Sequence, residues 1–234
     1  MQKRIWELDA LRGLSILAVI WIHLTYDLVV LYRVWDLRNP AWFDFSQDWG
    51  GVIFLILSGV CVTLGSRPVR RGLLVLGCGV LISLVTAGLY LVSFSGKEII
   101  IYFGVLHCLG ICMLLWPLFR QWPVWLLGAV GLVFAGAGLY LVRNVQVDFP
   151  WLIPFGVPSY TFVTSDYFPL LPNLGYFLLG AFAGKTLYRN KTSLLPGVNA
   201  RQPILRALCF CGRHSLLIYL LHQPVLAGIL FFIL

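Results

Sequence analysis

The stretch that decides the fold is Leu8–Leu24, LDALRGLSILAVIWIHL. It begins a long apolar run, and a membrane-spanning helix needs about 20 predominantly apolar residues. The same stretch holds an aspartate and an arginine near one end and a histidine near the other. Ionisable side chains are costly in lipid and usually mark function there. The stretch therefore predicts a spanning helix that carries part of a functional site.

The rest of the chain has the composition of an integral membrane protein. Of its 234 residues, 60% are hydrophobic and 11% are charged, whereas a soluble domain is about half apolar and a quarter charged. The apolar runs are continuous rather than alternating, which favours helices over strands. We therefore predict an all-α membrane protein with about seven transmembrane helices in a single domain, residues 1–234. The predicted spans are Leu11–Leu31, Trp49–Gly65, Gly72–Phe94, Ile99–Phe119, Trp122–Val142, Tyr167–Tyr188 and Ser215–Leu234.

The basic residues predict the orientation of these spans. With the N-terminus in the cytoplasm, all but four of the 17 lysines and arginines lie on the cytoplasmic side. The four exceptions are Arg33, Arg38, Lys97 and Arg143. The positive-inside rule thus predicts a cytoplasmic N-terminus, an outer C-terminus and an odd number of spans. The net charge of +8 is then explained by topology and by attraction to anionic membrane lipids, and no nucleic acid is expected as a partner.

Several segments outside the spans carry further predictions. The outer loops Tyr32–Asp48 and Arg143–Asp166 are rich in aromatic residues, which favours ordered lids, although an aromatic belt explains each single residue equally well. Arg201–Phe210 is predicted to form a short amphipathic surface helix. The six cysteines lack the spacing of a four-ligand zinc site, so they are expected to be reduced and buried. Small residues in span five suggest a face for a homo-oligomer; they are Gly128, Gly131, Gly136 and Gly138.

Three histidines on three predicted spans fall in one central band of the membrane. With a rise of about 1.5 Å per residue, His23 and His107 lie roughly 18 Å from the cytoplasmic surface and His222 roughly 12 Å. Asn173 lies at a similar depth, slightly nearer the outside. For one histidine alone, a hydrogen bond to a neighbouring helix is the simpler explanation, but three at one depth predict a polar cavity. No carboxylate accompanies His107 or His222, so no metal is expected.

Two acidic residues and one arginine add to this pattern. Asp27 is one helical turn beyond His23 and is placed to orient its imidazole; a solvated position near the end of the span is the equal alternative. Asp9 and Arg12 are three residues apart and are predicted to pair at the cytoplasmic mouth. The pair is either a helix-start ion pair or an anchor for an anionic ligand, because a guanidinium binds phosphate oxygens in pairs.

Five segments, taken in chain order, resemble the heparan-alpha-glucosaminide N-acetyltransferase catalytic-domain family. They are LDALRGLSILAVIWIHL, FLILSGVCVTLG (Phe54–Gly65), FGVLHCLG (Phe103–Gly110), DYFPLLPNLGYFLLGAFAGK (Asp166–Lys185) and GRHSLLIYLLHQPVL (Gly212–Leu226). Each motif is weak alone, but five in order over nearly the whole chain are specific. The family is related to the acyltransferase-3 proteins, whose Arg-x₁₀-His pattern on the first span is similar to Arg12 and His23 here.

The resemblance implies a bacterial plasma-membrane enzyme that moves an acyl group, usually acetyl, from cytoplasmic acetyl-CoA to a sugar amine or hydroxyl outside. Such chemistry needs a base and donors for the tetrahedral oxyanion. His23 is the expected base, oriented by Asp27. His107, Asn173 and His222 are the expected oxyanion donors or positioning groups. The residues expected to bind the coenzyme phosphates are Asp9, Arg12, Arg67, Arg70 and Arg71. For the last three of these, lipid anchoring is the simpler explanation.

The chain also departs from this family. Lysosomal members are longer and place a candidate catalytic histidine in the loop after the first span, whereas Tyr32–Trp49 contains no histidine. The heparan substrate therefore does not carry over, and a cell-envelope glycan or another exported sugar is expected. Two alternatives stay open. One is a proton-coupled transporter, because buried histidines and carboxylates also form proton relays. The other is a non-catalytic scaffold whose polar residues only join helices.

Overall fold

The computed structural model describes residues 5–35, 41–92, 96–200 and 202–233, and in these ranges the regular structure is helical. Two isolated β-bridges are the exception. The α-helices are α1 (Trp6–Tyr26), α2 (Ala41–Leu64), α3 (Pro68–Leu91), α4 (Val105–Phe119), α5 (Val124–Asn144), α6 (Leu170–Leu187), α7 (Pro203–Arg213) and α8 (Ser215–Ile233). A π-helical turn, Asp27–Leu31, extends α1, and 3₁₀ turns occupy Lys97–Ile99 and Pro150–Phe155. The prediction of an all-helical chain is confirmed.

Four helices in the described part of the chain are long and apolar enough to cross a membrane. They are α1, α3, α5 and α8, which correspond to the first, third, fifth and seventh predicted spans. The predicted ends Phe94 and Leu234 lie outside the described residues. The apolar parts of α2 and α4 are shorter, Trp49–Leu64 and Val105–Phe119. The chain is therefore a helical membrane protein, while the number seven stays a prediction.

The structure corrects three predicted boundaries. α2 begins at Ala41, so the predicted loop Tyr32–Asp48 is wrong in its last eight residues; residues 36–40 of that loop lie outside the described ranges. The helical start predicted at Ile99 is wrong, because Gly104 has extended backbone (φ −90°, ψ −175°) and α4 begins only after it. α6 is interrupted at Leu171, whose φ and ψ of −102° and 125° are not helical.

The chain forms two compact units. Unit 1 contains Met1–Leu57 and Tyr188–Leu234, and unit 2 contains Ser58–Leu187. The two ends of the sequence thus belong to one unit. The single domain predicted for residues 1–234 stays a prediction, because compactness alone does not test whether either unit folds by itself.

In unit 1, α7 packs closely against α1. A Cβ atom added to Gly13 would overlap the carbonyl of Leu208, and one added to Gly212 would overlap the carbonyl of Asp9. Small residues permit this close backbone approach. Because only His214 separates α7 from α8, the docking of α7 fixes where α8 begins beside α1.

Helix α7 confirms the predicted short helix but ends at Arg213, three residues beyond the predicted Phe210. The predicted first residue, Arg201, lies outside the described residues, and the position of the helix at the membrane surface stays a prediction. Cys209 and Gly212 are buried, whereas Ile204 and Phe210 are exposed. The Cys209 thiol donates to the backbone carbonyl of Trp6 at 3.4 Å. One face of α7 therefore holds α1, and apolar side chains stand on the opposite face.

Helices α1 and α8 run parallel. Three contacts join them in the same order along both helices: Arg12 with Ser215, His23 with His222, and Asp27 with Gln223. Arg12, in the first half of α1, therefore lies beside Ser215, the first residue of α8, and the histidines lie further along both helices.

In unit 2, the main helix pairs are α3 with α4 and α5 with α6, and glycines of α5 lie in the second pair. On α5, Cβ atoms added to three glycines would meet Phe182, Leu179 and Pro172 of the α6 segment; these glycines are Gly128, Gly131 and Gly138. These three glycines are therefore not exposed as predicted, because α6 of the same chain covers them, and the homo-oligomer itself stays a prediction. A Cβ on Gly136 would meet no described atom within 4 Å.

The second loop that was predicted to lie outside, Arg143–Asp166, is ordered as predicted, except that its first two residues belong to α5, which ends at Asn144. It contains the 3₁₀ turn and a β-bridge between Val147 and Ser159. Gly156 follows the turn with a φ of 100°, a left-handed conformation that favours glycine. The hydroxyl of Tyr167 donates to the carbonyl of Ile153 at 2.7 Å and ties the turn to the start of the next helix. The role of this loop as a lid stays a prediction.

Candidate active site

A pair of histidines lies between α1 and α8. The ring centroids of His23 and His222 are 4.8 Å apart, and the ring planes are inclined by 59°. His222 is buried, and His23 is half-buried. Sequence depth alone had placed these residues in one band, and the structure brings them into contact. Two imidazoles this close provide a proton acceptor and a hydrogen-bond donor within one small volume.

One turn beyond His23, the carboxylate of Asp27 is held by an amide. Asp27 is 2% exposed, so the alternative of a solvated carboxylate is wrong. Gln223 donates its amide nitrogen to both carboxylate oxygens, at 3.2 and 3.3 Å. Among the described residues Asp27 makes its side-chain hydrogen bonds to Gln223 rather than to His23. Sequence reasoning missed Gln223, although an amide directly after His222 in an apolar run was a visible signal.

Near the start of α1, Arg12 makes two contacts. Its Nη1 lies 3.6 Å from an oxygen of Asp9, which confirms the predicted pair. Its Nη2 donates to the Ser215 hydroxyl at 3.4 Å. The Arg12 side chain keeps 33% of its surface exposed, so the residue is not fully enclosed by its two protein partners. Arg12 precedes His23 by eleven positions, roughly 17 Å along a helix.

His107 belongs to unit 2, in the first turn of α4. Its Nδ1 accepts the backbone N–H of Gly104 at 3.3 Å. Nδ1 therefore carries no proton, and Nε2 donates to the Ser83 hydroxyl at 3.2 Å. Ser83 in turn donates to the carbonyl of Ile101. Both nitrogens of His107 therefore form hydrogen bonds that hold the start of α4 against α3. The prediction that His107 lines the same cavity as His23 and His222 stays a prediction.

Asp166, which sequence reasoning did not select, caps the same helix start. Its carboxylate accepts the backbone N–H of Val105 at 3.1 Å. The positive end of a helix dipole favours an acidic group at this position. Burial nevertheless dominates and raises the pKa of Asp166 to about 6, against the lowering effect of the Val105 bond. The sequence did offer one indication of Asp166, because it is the first residue of the family-like segment Asp166–Lys185.

Asn173 also belongs to unit 2, just after the interruption in α6. It is buried, and its amide nitrogen donates to the carbonyl of Pro169 at 2.8 Å. The thiol of Cys108 approaches the same carbonyl, at 3.8 Å. Asn173 therefore helps to hold the non-helical turn between the loop and α6.

The three predicted arginines of the cytoplasmic edge gather at the start of α3. Arg67 precedes the helix directly, and Arg70 and Arg71 lie in its first turn, all three exposed. Their charges add to the positive end of the helix dipole, which favours anions. They belong to unit 2, whereas Asp9 and Arg12 belong to unit 1.

The ionisable side chains between α1 and α8 place this protein among the helical membrane proteins that carry a functional site between their spanning helices. The family model described as "Heparan-alpha-glucosaminide N-acetyltransferase, catalytic" matches residues 4–224. The chain belongs to this family and is a membrane acetyltransferase, and the family implies an acyl donor of the acetyl-CoA type. Neither a curated protein nor a solved structure matches the chain significantly.

Proposed function

We propose that this protein transfers an acetyl group from cytoplasmic acetyl-CoA to the amine or hydroxyl of an exported sugar, across the plasma membrane of a bacterium. One observation carries the proposal. The parallel helices α1 and α8 hold a partly exposed arginine near their starts and a pair of contacting histidines further along. A donor with phosphates at one end and a thioester at the other matches these two positions.

The parallel direction of α1 and α8 supports the proposed topology. If both helices cross the membrane the same way, an odd number of crossings lies between them, and the two termini face opposite sides. The distribution of basic residues supports the N-terminus as the cytoplasmic one. Seven spans, with α2, α4 and α6 as the shorter members, agree with both arguments.

The donor site proposed here begins at Arg12. Guanidinium groups bind phosphate oxygens in pairs, and the Arg12 side chain is partly exposed. The arginines at the start of α3 belong to the other unit, and their part in donor binding stays a prediction. An extended pantetheine arm is long enough to span the roughly 17 Å of helix between Arg12 and His23, which would deliver the thioester to the histidine pair.

The histidine pair is proposed as the reaction centre. One imidazole takes the proton of the acceptor while the other donates to the oxygen of the tetrahedral intermediate; sequence reasoning assigned the first role to His23. Asp27 and Gln223 would hold α1 against α8 at the level of the pair. His107 and Asn173 form hydrogen bonds within their own unit, and their part in the reaction stays a prediction.

The transporter alternative has one observation in its favour. Transporters bind substrates at interrupted helices, and α6 is interrupted at Leu171. The two functions differ in what they do with acetyl-CoA. A proton-coupled carrier moves its solute without consuming a thioester, whereas the proposed enzyme releases one free thiol for each acetyl group transferred.

The test uses the full chain in proteoliposomes with radiolabelled acetyl-CoA on the Arg12 side and a panel of amino sugars and neutral sugars on the other. We expect labelled sugar and an equal amount of free thiol, both dependent on the acceptor. Empty liposomes and the His23→Ala variant serve as controls. Proton flux with added sugar, without labelled product or thiol, would instead establish transport.

A further inference from the structure

The hydrogen bonds of His222 decide which of its nitrogens holds the proton. Its Nδ1 contacts the backbone carbonyl of Tyr219, one turn earlier on α8. A carbonyl oxygen only accepts hydrogen bonds, so Nδ1 carries the hydrogen in the neutral ring. The other nitrogen, Nε2, is then left with a lone pair. A carbonyl on Nδ1–H also fixes the orientation of the ring, as in other sites where one imidazole nitrogen must be presented to a reacting partner.

This lone pair has no partner in the described part of the chain. His222 is 8% exposed, and its Nε2 is buried without a hydrogen bond. Most buried polar groups are hydrogen-bonded, and an exception calls for an explanation. A buried acceptor that faces no donor is suited to receive a proton from a bound molecule.

His23 presents the contrasting case. It lies against His222 at a ring distance of 4.8 Å, yet no hydrogen bond fixes its tautomer among the described residues. The ring is half-buried, and either nitrogen is free to carry the hydrogen. Such a ring is suited to donate to an oxygen whose charge develops during the reaction.

We infer that Nε2 of His222, rather than His23, is the general base of the transfer, with His23 as the donor to the oxyanion. The inference rests on the proposed acetyl transfer. It reverses the roles that sequence reasoning gave the two residues. The base, His222, lies on α8, and His23, the histidine of the Arg-x₁₀-His pattern, stabilises the transition state.

The step balances without any further reactant. The acceptor N–H or O–H bond breaks as its hydrogen passes to Nε2, and the acceptor forms a bond to the thioester carbonyl carbon. The tetrahedral oxyanion collapses, the C–S bond breaks, and its electron pair leaves with sulfur. His222 returns the proton to the thiolate, which becomes the free thiol of coenzyme A. While the ring is doubly protonated, the Tyr219 carbonyl stabilises it through Nδ1–H.

The test compares His222→Asn and His222→Ala with His23→Ala. Asparagine places an N–H where Nδ1 was, so it keeps the bond to Tyr219 and removes only the base. We expect His222→Asn to remain folded and to lose about 100- to 10,000-fold in kcat, with little change in the KM for acetyl-CoA. His214→Ala, the exposed histidine before α8, is the matched control and should retain the wild-type rate.

Chemical rescue separates a base from a donor. Added imidazoles should restore part of the rate of His222→Ala, with a rate that rises as the imidazole becomes more basic. The rate of His23→Ala should not follow basicity in this way. If basicity-dependent rescue appears in His23→Ala while both His222 variants retain activity, the assignment is wrong. If the wild-type protein itself transfers no acetyl group, the proposed function fails instead.

Discussion

The contact between Gln223 and Asp27 gives a prediction whose size can be worked out. A hydrogen bond to a charged group contributes about 1.5–3 kcal/mol, whereas neutral interhelical hydrogen bonds in membrane proteins average about 0.6 kcal/mol. Asp27 is 2% exposed, and Gln223 reaches both of its oxygens. Because burial removes water as a substitute partner, we expect the charged value to apply.

The perturbation is a double-mutant cycle with Asp27→Ala, Gln223→Ala and the pair together. Reversible unfolding in mixed micelles, followed by tryptophan fluorescence, measures the free energy of unfolding of each variant. We expect Gln223→Ala to be the more damaging change, since it leaves a carboxylate buried without donors. The coupling energy should be about 1.5–3 kcal/mol.

A conservative variant serves as the control for side-chain packing. Asp27→Asn keeps the size of the side chain and an oxygen that can accept from Gln223, but it removes the charge. Its coupling with Gln223 should fall to about 0.6 kcal/mol. If the wild-type pair also couples at or below this value, Asp27 is not a carboxylate held by Gln223, and the argument for a rigid α1–α8 contact beside the histidines fails.

Three further predictions follow from other sites. Arg12→Ala should raise the KM for acetyl-CoA about tenfold or more, because a charge-assisted bond contributes about 1.5–3 kcal/mol, and an unchanged KM would make Arg12 a topology signal only. Since the pKa of Asp166 is raised from its ordinary value of 3.8 to about 6, the fold favours the protonated acid. The contribution of Asp166 to stability should therefore be full below pH 4 and be lost as the pH rises through 6; Asp166→Asn should lose this component of the slope in thermal unfolding, and an equal slope in both proteins would contradict the assignment. Reporter tags on the two termini should respond from opposite sides of the membrane, and a response from the same side would exclude an odd number of spans.

Hydropathy located the helices well and their ends less well. The positions of α1, α3, α5 and α8 were predictable because transfer into lipid depends on the composition of a local run. The start of α4 was not, because Gly104 stays extended where Asp166 and His107 bind the first backbone groups of the helix. Asp166 comes from a segment 61 positions away, which a hydropathy window does not contain.

In the candidate site too, contacts within one helix were predictable and contacts between helices were not. Sequence spacing was sufficient to predict the Asp9–Arg12 pair, because residues three apart on a helix are neighbours. It could not predict that Asp27 would bind Gln223, since that contact depends on the placement of α8 beside α1. Nor could it reveal that both nitrogens of His107 are occupied, which depends on Ser83 from another helix.

By itself, the sequence determined that this is a helical membrane protein, how its basic residues are distributed, and which ionisable side chains enter apolar segments. These properties follow from local composition and from spacing along one helix. Only the tertiary structure decided that His222 meets His23 and that its Nε2 is left without a partner. That outcome depends on the docking of α7 on α1 through Gly13 and Gly212, a contact between residues about 200 positions apart, where close backbone approach and not hydropathy sets the geometry.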